Sequence, residues 1–98
     1  MPYNISALKV KDFATWKSGF DRGEAVRKAG RMKSYQIFQA TNDPNYIVII
    51  TEWNSMEDGL KFLQSEELKE ANIESGVIEM FGAHDTSKSL EEVEKKSV

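Results

Sequence analysis

The segment Tyr46–Trp53 constrains the fold more than any other part of the chain, because it is apolar on both sides. Successive side chains of a β-strand point to opposite faces of the sheet. One face of this strand carries Tyr46, Val48 and Ile50, and the other carries Ile47, Ile49 and Trp53. A strand with one hydrated face alternates apolar and polar residues, so this strand must be covered on both faces. We therefore expect a central strand, with helices over one face and a further layer over the other.

The neighbouring segments predict a ferredoxin-like arrangement around that strand. Apolar and alternating runs bounded by turn residues predict strands over residues 3–10, 31–40, 46–53 and 77–83. Apolar residues at steps of three and four predict two helical regions, over 12–30 with a bend near Gly23 and over 55–75 with a bend near Ser65. The order is the βαββαβ order of the ferredoxin-like fold. The sequence thus predicts an α+β fold with a four-stranded antiparallel sheet and helices on one face.

Residues 1–84 form the predicted domain, and residues 85–98 follow it as a polar C-terminal tail. The tail is expected to be either a short helix around Leu90 and Val93 or a frayed end. It has few large apolar residues, so we expect a second copy of the chain to cover the open face of the sheet. The predicted assembly is a homodimer whose sheets pack face to face into an α+β barrel. Burial of roughly a few hundred Å² at ~25 cal/mol per Å² would favour pairing by several kcal/mol before association costs. The alternative is that the tail itself folds over this face.

Composition excludes several classes of function. The 98 residues carry a formal net charge of -3 and no basic run, which disfavours nucleic acid and anionic membrane surfaces as partners. There is no cysteine, so disulfides, zinc–thiolate sites and thiol nucleophiles are excluded. No signal peptide or membrane-spanning run is visible, and a cytoplasmic location is the default expectation. With a single histidine and no matching carboxylate spacing, we expect no metal site and no cofactor.

Four short motifs resemble a known family. They are Val10-x-Asp-Phe-x-x-Trp-x-x-x-Phe20, Asn42-Asp-Pro-Asn45, Glu52-Trp-x-Ser55 and Phe62-x-x-Ser65. Together they are similar to the dimeric α+β barrel proteins, among them the antibiotic-biosynthesis-monooxygenase-like domains. The resemblance covers about residues 3–81 and implies a dimer with a cleft between helices and sheet in each subunit. It leaves the activity open, because the superfamily includes cofactor-free oxygenases, haem-degrading enzymes, isomerases and cyclases, and one fold serves many chemistries.

The sequence departs from the monooxygenase-like pattern at one position. Many of those members carry a histidine nine residues after the tryptophan that corresponds to Trp53, and here that residue is Phe62. A phenylalanine cannot ligate haem iron, relay a proton or donate a hydrogen bond. The resemblance therefore supports a pocket more than it supports oxygenase chemistry.

The predicted ligand site is a flat apolar cleft for a small apolar or aromatic molecule. Trp16, Phe20 and Phe62 are the expected pocket residues, and the possible polar contributors are Tyr35, Trp53 and His84. The alternative for the aromatic residues is a plain core position, and for His84 an exposed site at the end of the last strand. Near the end of the first helical region, the basic residues are Arg22, Arg27 and Arg31. They could attract an anionic group, but a solvated helix face near the C-terminal dipole is the simpler interpretation.

Two hypotheses of function remain open at this stage. The first is a cofactor-independent, oxygenase-like or isomerase-like enzyme that works by desolvating and orienting its substrate. The second is a non-catalytic binding or assembly domain whose pocket is filled by its own side chains. The position of Phe62 distinguishes the two hypotheses. A Phe62 that fills the cleft favours the non-catalytic domain, and a Phe62 that lines an open cleft favours the enzyme.

Overall fold

The strand Asp43–Trp53 (β3) lies at the centre of a five-stranded antiparallel sheet, as its two apolar faces require. A computed structural model describes all 98 residues. The other strands are β1 (Tyr3–Val10), β2 (Met32–Ala40), β4 (Val77–Phe81) and β5 (Leu90–Ser97). The spatial order is β4-β1-β3-β2-β5, and every pairing is antiparallel. The α+β, ferredoxin-like order predicted for the first four strands is confirmed.

Both helical regions consist of two short helices, as the bends in the sequence predict. The helices are α1 (Phe13–Arg22), α2 (Glu24–Ala29), α3 (Met56–Leu63) and α4 (Glu66–Glu74). The side chains of Asp12, Ser55 and Ser65 accept hydrogen bonds from backbone N–H groups three residues later, which satisfies part of each helix N-terminus. None of the four helices has the length and hydropathy that a bilayer span requires.

The C-terminal tail corrects the sequence prediction. Neither a helix nor a frayed end forms around Leu90 and Val93, because β5 pairs with β2 along its whole length and adds a fifth strand. The spacing of those two residues fits a helix, but the backbone groups on the free edge of β2 give the segment hydrogen-bond partners that a local pattern cannot reveal. The tail also includes Glu94, which is hydrogen-bonded to Tyr35 across the strand pair.

The sheet separates two apolar clusters. The larger one lies between the sheet and the helices and contains Leu8, Val10, Trp16, Met32, Tyr35, Ile37, Ile47 and Trp53. The smaller one lies on the face turned away from the helices, here called the outer face, and contains Ala7, Ala40, Tyr46 and Val48. Only one end of the outer face is covered, because His84, Asp85 and Lys88 contact Tyr46. The segment after β4 thus covers part of the outer face, as expected if the C-terminal tail folds over the sheet.

The left-handed residue after α2 is not the glycine. Helices commonly end with a glycine in the left-handed conformation, yet Gly30 has φ −76° and the following Arg31 has φ 69°. Gly30 serves packing instead, because a Cβ there would lie 3.1 Å from Cδ2 of Phe62. The tight approach of α2 to α3 therefore needs the glycine, and the left-handed step falls one residue later.

We expect Gly76→Ala to lower the free energy of unfolding by about 1 kcal/mol, because Gly76 has φ 85°, where a Cβ is strained. Equilibrium unfolding in urea measures this difference. Gly82→Ala is the matched control, since a Cβ there meets nothing within 4 Å, and it should change stability by less than about 0.5 kcal/mol. Equal effects of the two substitutions would contradict the assignment of strain to Gly76.

Candidate functional site

A cavity of about 150 Å³ lies between the helices and the sheet. Apolar and aromatic side chains form most of its wall, including Leu8, Trp16, Phe20, Met32, Trp53 and Phe62. Val26 and Met80 also line it and are 44% and 55% exposed, so the wall of the cavity reaches the protein surface at these residues. An apolar cavity of this volume is large enough for a molecule of about one aromatic ring.

The helical stripe explains why aromatic side chains meet at this place. Phe13, Trp16 and Phe20 recur at steps of three and four, so they project from one face of α1 onto the sheet. The Trp16 ring lies 5.9 Å from Phe13 and 5.2 Å from Phe20, between ring centroids. On the opposite wall, the ring of Phe62 of α3 packs against Trp53 of β3, tilted by 46° with 5.1 Å between ring centroids. Space remains between these two aromatic pairs, and Phe62 lines the cavity without filling it.

Tyr35 lies beneath this aromatic layer and does not line the cavity. Its ring meets Phe20 edge to face at 4.9 Å, and its hydroxyl donates a hydrogen bond of 2.9 Å to Glu94 of β5. Glu94 is also paired with Lys17 of α1 at 3.0 Å. Burial, and then the hydrogen bond to Glu94, raise the pKa of Tyr35 to about 12. Tyr35 therefore keeps its proton at neutral pH, and its ring packs against Phe20, which lines the cavity.

Arg27 is the functional candidate that sequence reasoning placed wrongly. It was expected on a solvated helix face, but only 5% of it is exposed and it lines the cavity. Its guanidinium carbon stacks 3.8 Å above the centroid of the Phe20 ring, and its Nη1 donates to the Phe20 carbonyl. Burial lowers the pKa of Arg27 from its ordinary value. A signal was available, because Arg27 follows Phe20 by seven residues and so continues the apolar stripe.

His84 is not brought to the cavity. It follows β4 on the outer face, where its Nδ1 lies 3.0 Å from the hydroxyl of Tyr46. The same hydroxyl accepts a hydrogen bond from the backbone N–H of Asp85. His84 therefore helps to cover Tyr46, and of the six predicted site residues it is the one on the wrong side of the sheet.

The polar groups of the cavity wall are few and partly engaged. Thr51 Oγ1 accepts a 2.8 Å hydrogen bond from the Trp53 indole, and Ser75 Oγ donates to the Ala71 carbonyl at 2.6 Å. Glu67 lines the wall as an exposed carboxylate. No three His, Cys, Asp or Glu side chains come together in a way that could hold a metal ion. The wall thus offers shape, aromatic faces and one buried cation.

We expect the free energy of unfolding to fall as the pH rises from about 10 to about 12. Unfolded tyrosine ionises near 10.0, whereas folded Tyr35 keeps its proton to about 12, so its contribution is complete below pH 10 and is lost above it. Tyr35→Phe should remove this part of the alkaline pH dependence, which urea unfolding at a series of pH values measures. Tyr3→Phe, at an exposed tyrosine, should retain most of it. An unchanged pH profile in Tyr35→Phe would contradict the assignment.

A family model described as antibiotic biosynthesis monooxygenase matches residues 21–72, more than half of the 98 residues. The matched segment contains the cavity residues Arg27, Trp53 and Phe62. Neither a curated protein nor a solved structure matches the chain.

Proposed function

The chain belongs to the antibiotic biosynthesis monooxygenase family, and on that premise we propose that it is a homodimeric protein that holds a small apolar or aromatic molecule in the cavity between its helices and its sheet. The resemblance drawn from the four sequence motifs is thereby confirmed at the level of the family. The observation that carries the proposal is the cavity itself, which stays open although aromatic side chains surround it.

The aromatic wall supports a flat, apolar ligand. Trp16 and Phe20 on one side and Trp53 and Phe62 on the other present ring faces and edges to the same space. Aromatic pairs at such distances contribute about 0.5–1.5 kcal/mol beyond the area that they bury. A one-ring molecule would exchange water for these contacts, and the few polar groups on the wall would fix its orientation.

As an enzyme, the protein would be a cofactor-independent, oxygenase-like or isomerase-like catalyst. Phe62 stands where many monooxygenase-like members have histidine, and His84 lies across the sheet, so neither can exchange a proton with a molecule in the cavity. Catalysis would then rest on desolvation and orientation of a reactive substrate. If the protein is an oxygenase, it should consume oxygen when a candidate substrate is added, which an oxygen electrode measures directly.

A non-catalytic binding domain is the second candidate. It is favoured by the hydroxyl groups of Thr51 and Ser75, which are occupied by bonds within the protein. Such a protein would bind its ligand tightly and release it unchanged. Analysis of the bound molecule before and after incubation with the protein separates this candidate from the enzyme.

The outer face supports the proposed dimer. Tyr3 and Ile5 are each 62% exposed there, and Ile5 is paired with the half-buried Ile50 of β3. His84 and its neighbours cover only the end of this face at Tyr46. A second copy packed on the exposed end would remove these apolar side chains from water, which is the main driving force for association.

We expect Ala71→Phe to weaken binding of benzyl alcohol, a neutral one-ring probe, by at least about tenfold, because the new ring fills the cavity at its α4 wall. The indole N–H signals of Trp16 and Trp53 report binding by NMR, since both tryptophans of the chain line the cavity. Ala25→Phe is the matched control, because Ala25 is exposed on α2 outside the cavity wall, and it should leave affinity unchanged. Equal affinities in all three proteins would place the ligand elsewhere.

We expect Ile5→Lys to convert the dimer into a monomer, because it buries like charges in the proposed interface. Native mass spectrometry measures the change, and a reproducible small adduct in the same spectrum would identify a natural ligand. Ile73→Lys makes the same substitution at a residue that is 78% exposed on α4, and it should remain dimeric. A monomeric native protein, or a dimeric Ile5→Lys, would overturn the proposed assembly.

A further inference from the structure

Arg27 carries a buried positive charge that no carboxylate of the chain neutralises by direct contact. None of the six ion pairs includes it. Glu24, Asp21 and Glu94 act on the Arg27 charge only from a distance. Glu24 is paired with Lys96, and Asp21 and Glu94 share Lys17. A guanidinium stays protonated even when burial lowers its pKa, so the charge persists.

The partners that Arg27 does have leave one of its fully buried nitrogens, Nε, without an acceptor. Its guanidinium lies over the faces of Phe20 and Tyr35, at 3.8 and 5.4 Å from the ring centroids, and Nη1 donates to the Phe20 carbonyl. Nε is shielded from solvent and has no hydrogen-bond partner, and among the buried side-chain nitrogen and oxygen atoms of the chain it is the only one in that state. A buried donor without an acceptor is costly, and a charged one more so.

The protein tolerates this cost at the wall of its apolar cavity. Gly23 makes room for the guanidinium, because a Cβ there would lie 3.1 Å from Nη1. The stack on Phe20 and the carbonyl bond then hold the cation against the cavity rather than letting it extend into water. A carboxylate that enters the cavity meets a guanidinium that is already largely desolvated and held in place.

We propose that Arg27 is the anion-binding residue of the cavity and that the ligand is an aromatic molecule of about one ring that carries an anionic oxygen, such as a carboxylate. This deepens the proposed function and rests on it. The ring occupies the space between Trp16 and Phe62, and the anionic oxygen pairs with the guanidinium of Arg27, a residue of the cavity wall. The one acidic residue of the wall, Glu67, is exposed, so water screens its repulsion of the ligand.

The test compares benzoate with benzamide, a neutral molecule of nearly the same shape, by NMR titration of the two indole N–H signals of the full chain at neutral pH. We expect benzoate to bind at least about tenfold more tightly, the size of effect of a charge-assisted hydrogen bond in a desolvated site. Arg27→Met should abolish this preference by weakening benzoate about tenfold, while benzamide changes by less than about threefold. Arg27→Lys, which keeps the charge but not the planar set of guanidinium donors, should retain part of the preference.

Two controls keep the result interpretable. Arg22→Met removes the same charge from an exposed residue outside the cavity wall, and it should keep the full preference for benzoate. Thermal unfolding of Arg27→Met checks that it is folded, which we expect because apolar replacements of buried charges are often neutral or stabilising. If Arg27→Met does not fold, the preference for benzoate over benzamide is compared between the native protein and Arg27→Lys. A preference that is equal in the two proteins would contradict the role of Arg27.

The outcomes separate this inference from the proposed function. Equal binding of benzoate and benzamide to the native protein, or an unchanged preference in Arg27→Met, would overturn the role of Arg27 and leave an apolar ligand site intact. Failure of both probes and of benzyl alcohol to move the indole signals would overturn the ligand site as well.

Discussion

Burial of β3 on both of its faces is the constraint on which the rest of the structure depends. Ile47 has no exposed surface on the helix side and Val48 almost none on the outer side, so water is excluded from both faces at the same point along the strand. That requirement fixes β3 between β1 and β2 and sets the helices over one face. It also makes the outer face a second, smaller core. The remaining exposed part of that face is where a second copy of the chain would complete the burial.

The cavity follows from how the helices meet the sheet. Four short helices, each of ten residues or fewer, cannot cover a five-stranded sheet with a continuous layer. Aromatic side chains bridge the distance, with Trp16 and Phe20 projecting from α1 and Phe62 from α3. Large rigid rings leave gaps where smaller branched side chains would interdigitate. The site is thus a product of the packing, and its position matches the helix–sheet cleft that the resemblance implied.

Arg27 and β5 show how a polar network supports that apolar site. Glu94 of β5 accepts from Tyr35 and pairs with Lys17, and Tyr35 in turn packs against Phe20. The guanidinium of Arg27 lies over the rings of both Phe20 and Tyr35. Lys17 is shared by Glu94 and Asp21, whereas Arg27 has no carboxylate in direct contact. A ligand with an anionic group would give Arg27 a direct ionic partner.

The sequence by itself determined the element order, the bends of both helical regions and the aromatic stripe of Phe13, Trp16 and Phe20. These features depend on residue spacing and on contacts within a few positions of the chain, which a linear pattern records. It also identified five aromatic residues, Trp16, Phe20, Tyr35, Trp53 and Phe62, that the fold gathers on the helix side of the sheet.

Only the tertiary structure decided three things: that residues 90–97 form a strand, that His84 lies on the outer face, and that Arg27 is buried. For the strand, the hydrogen-bond partner is the edge of β2, more than fifty residues away in the chain. For Arg27, local chemistry indicates a solvated cation at a helix end, whereas its burial results from Phe20 and Tyr35 closing around it. Pairing and desolvation depend on neighbours that are distant in sequence, and no local pattern contains them.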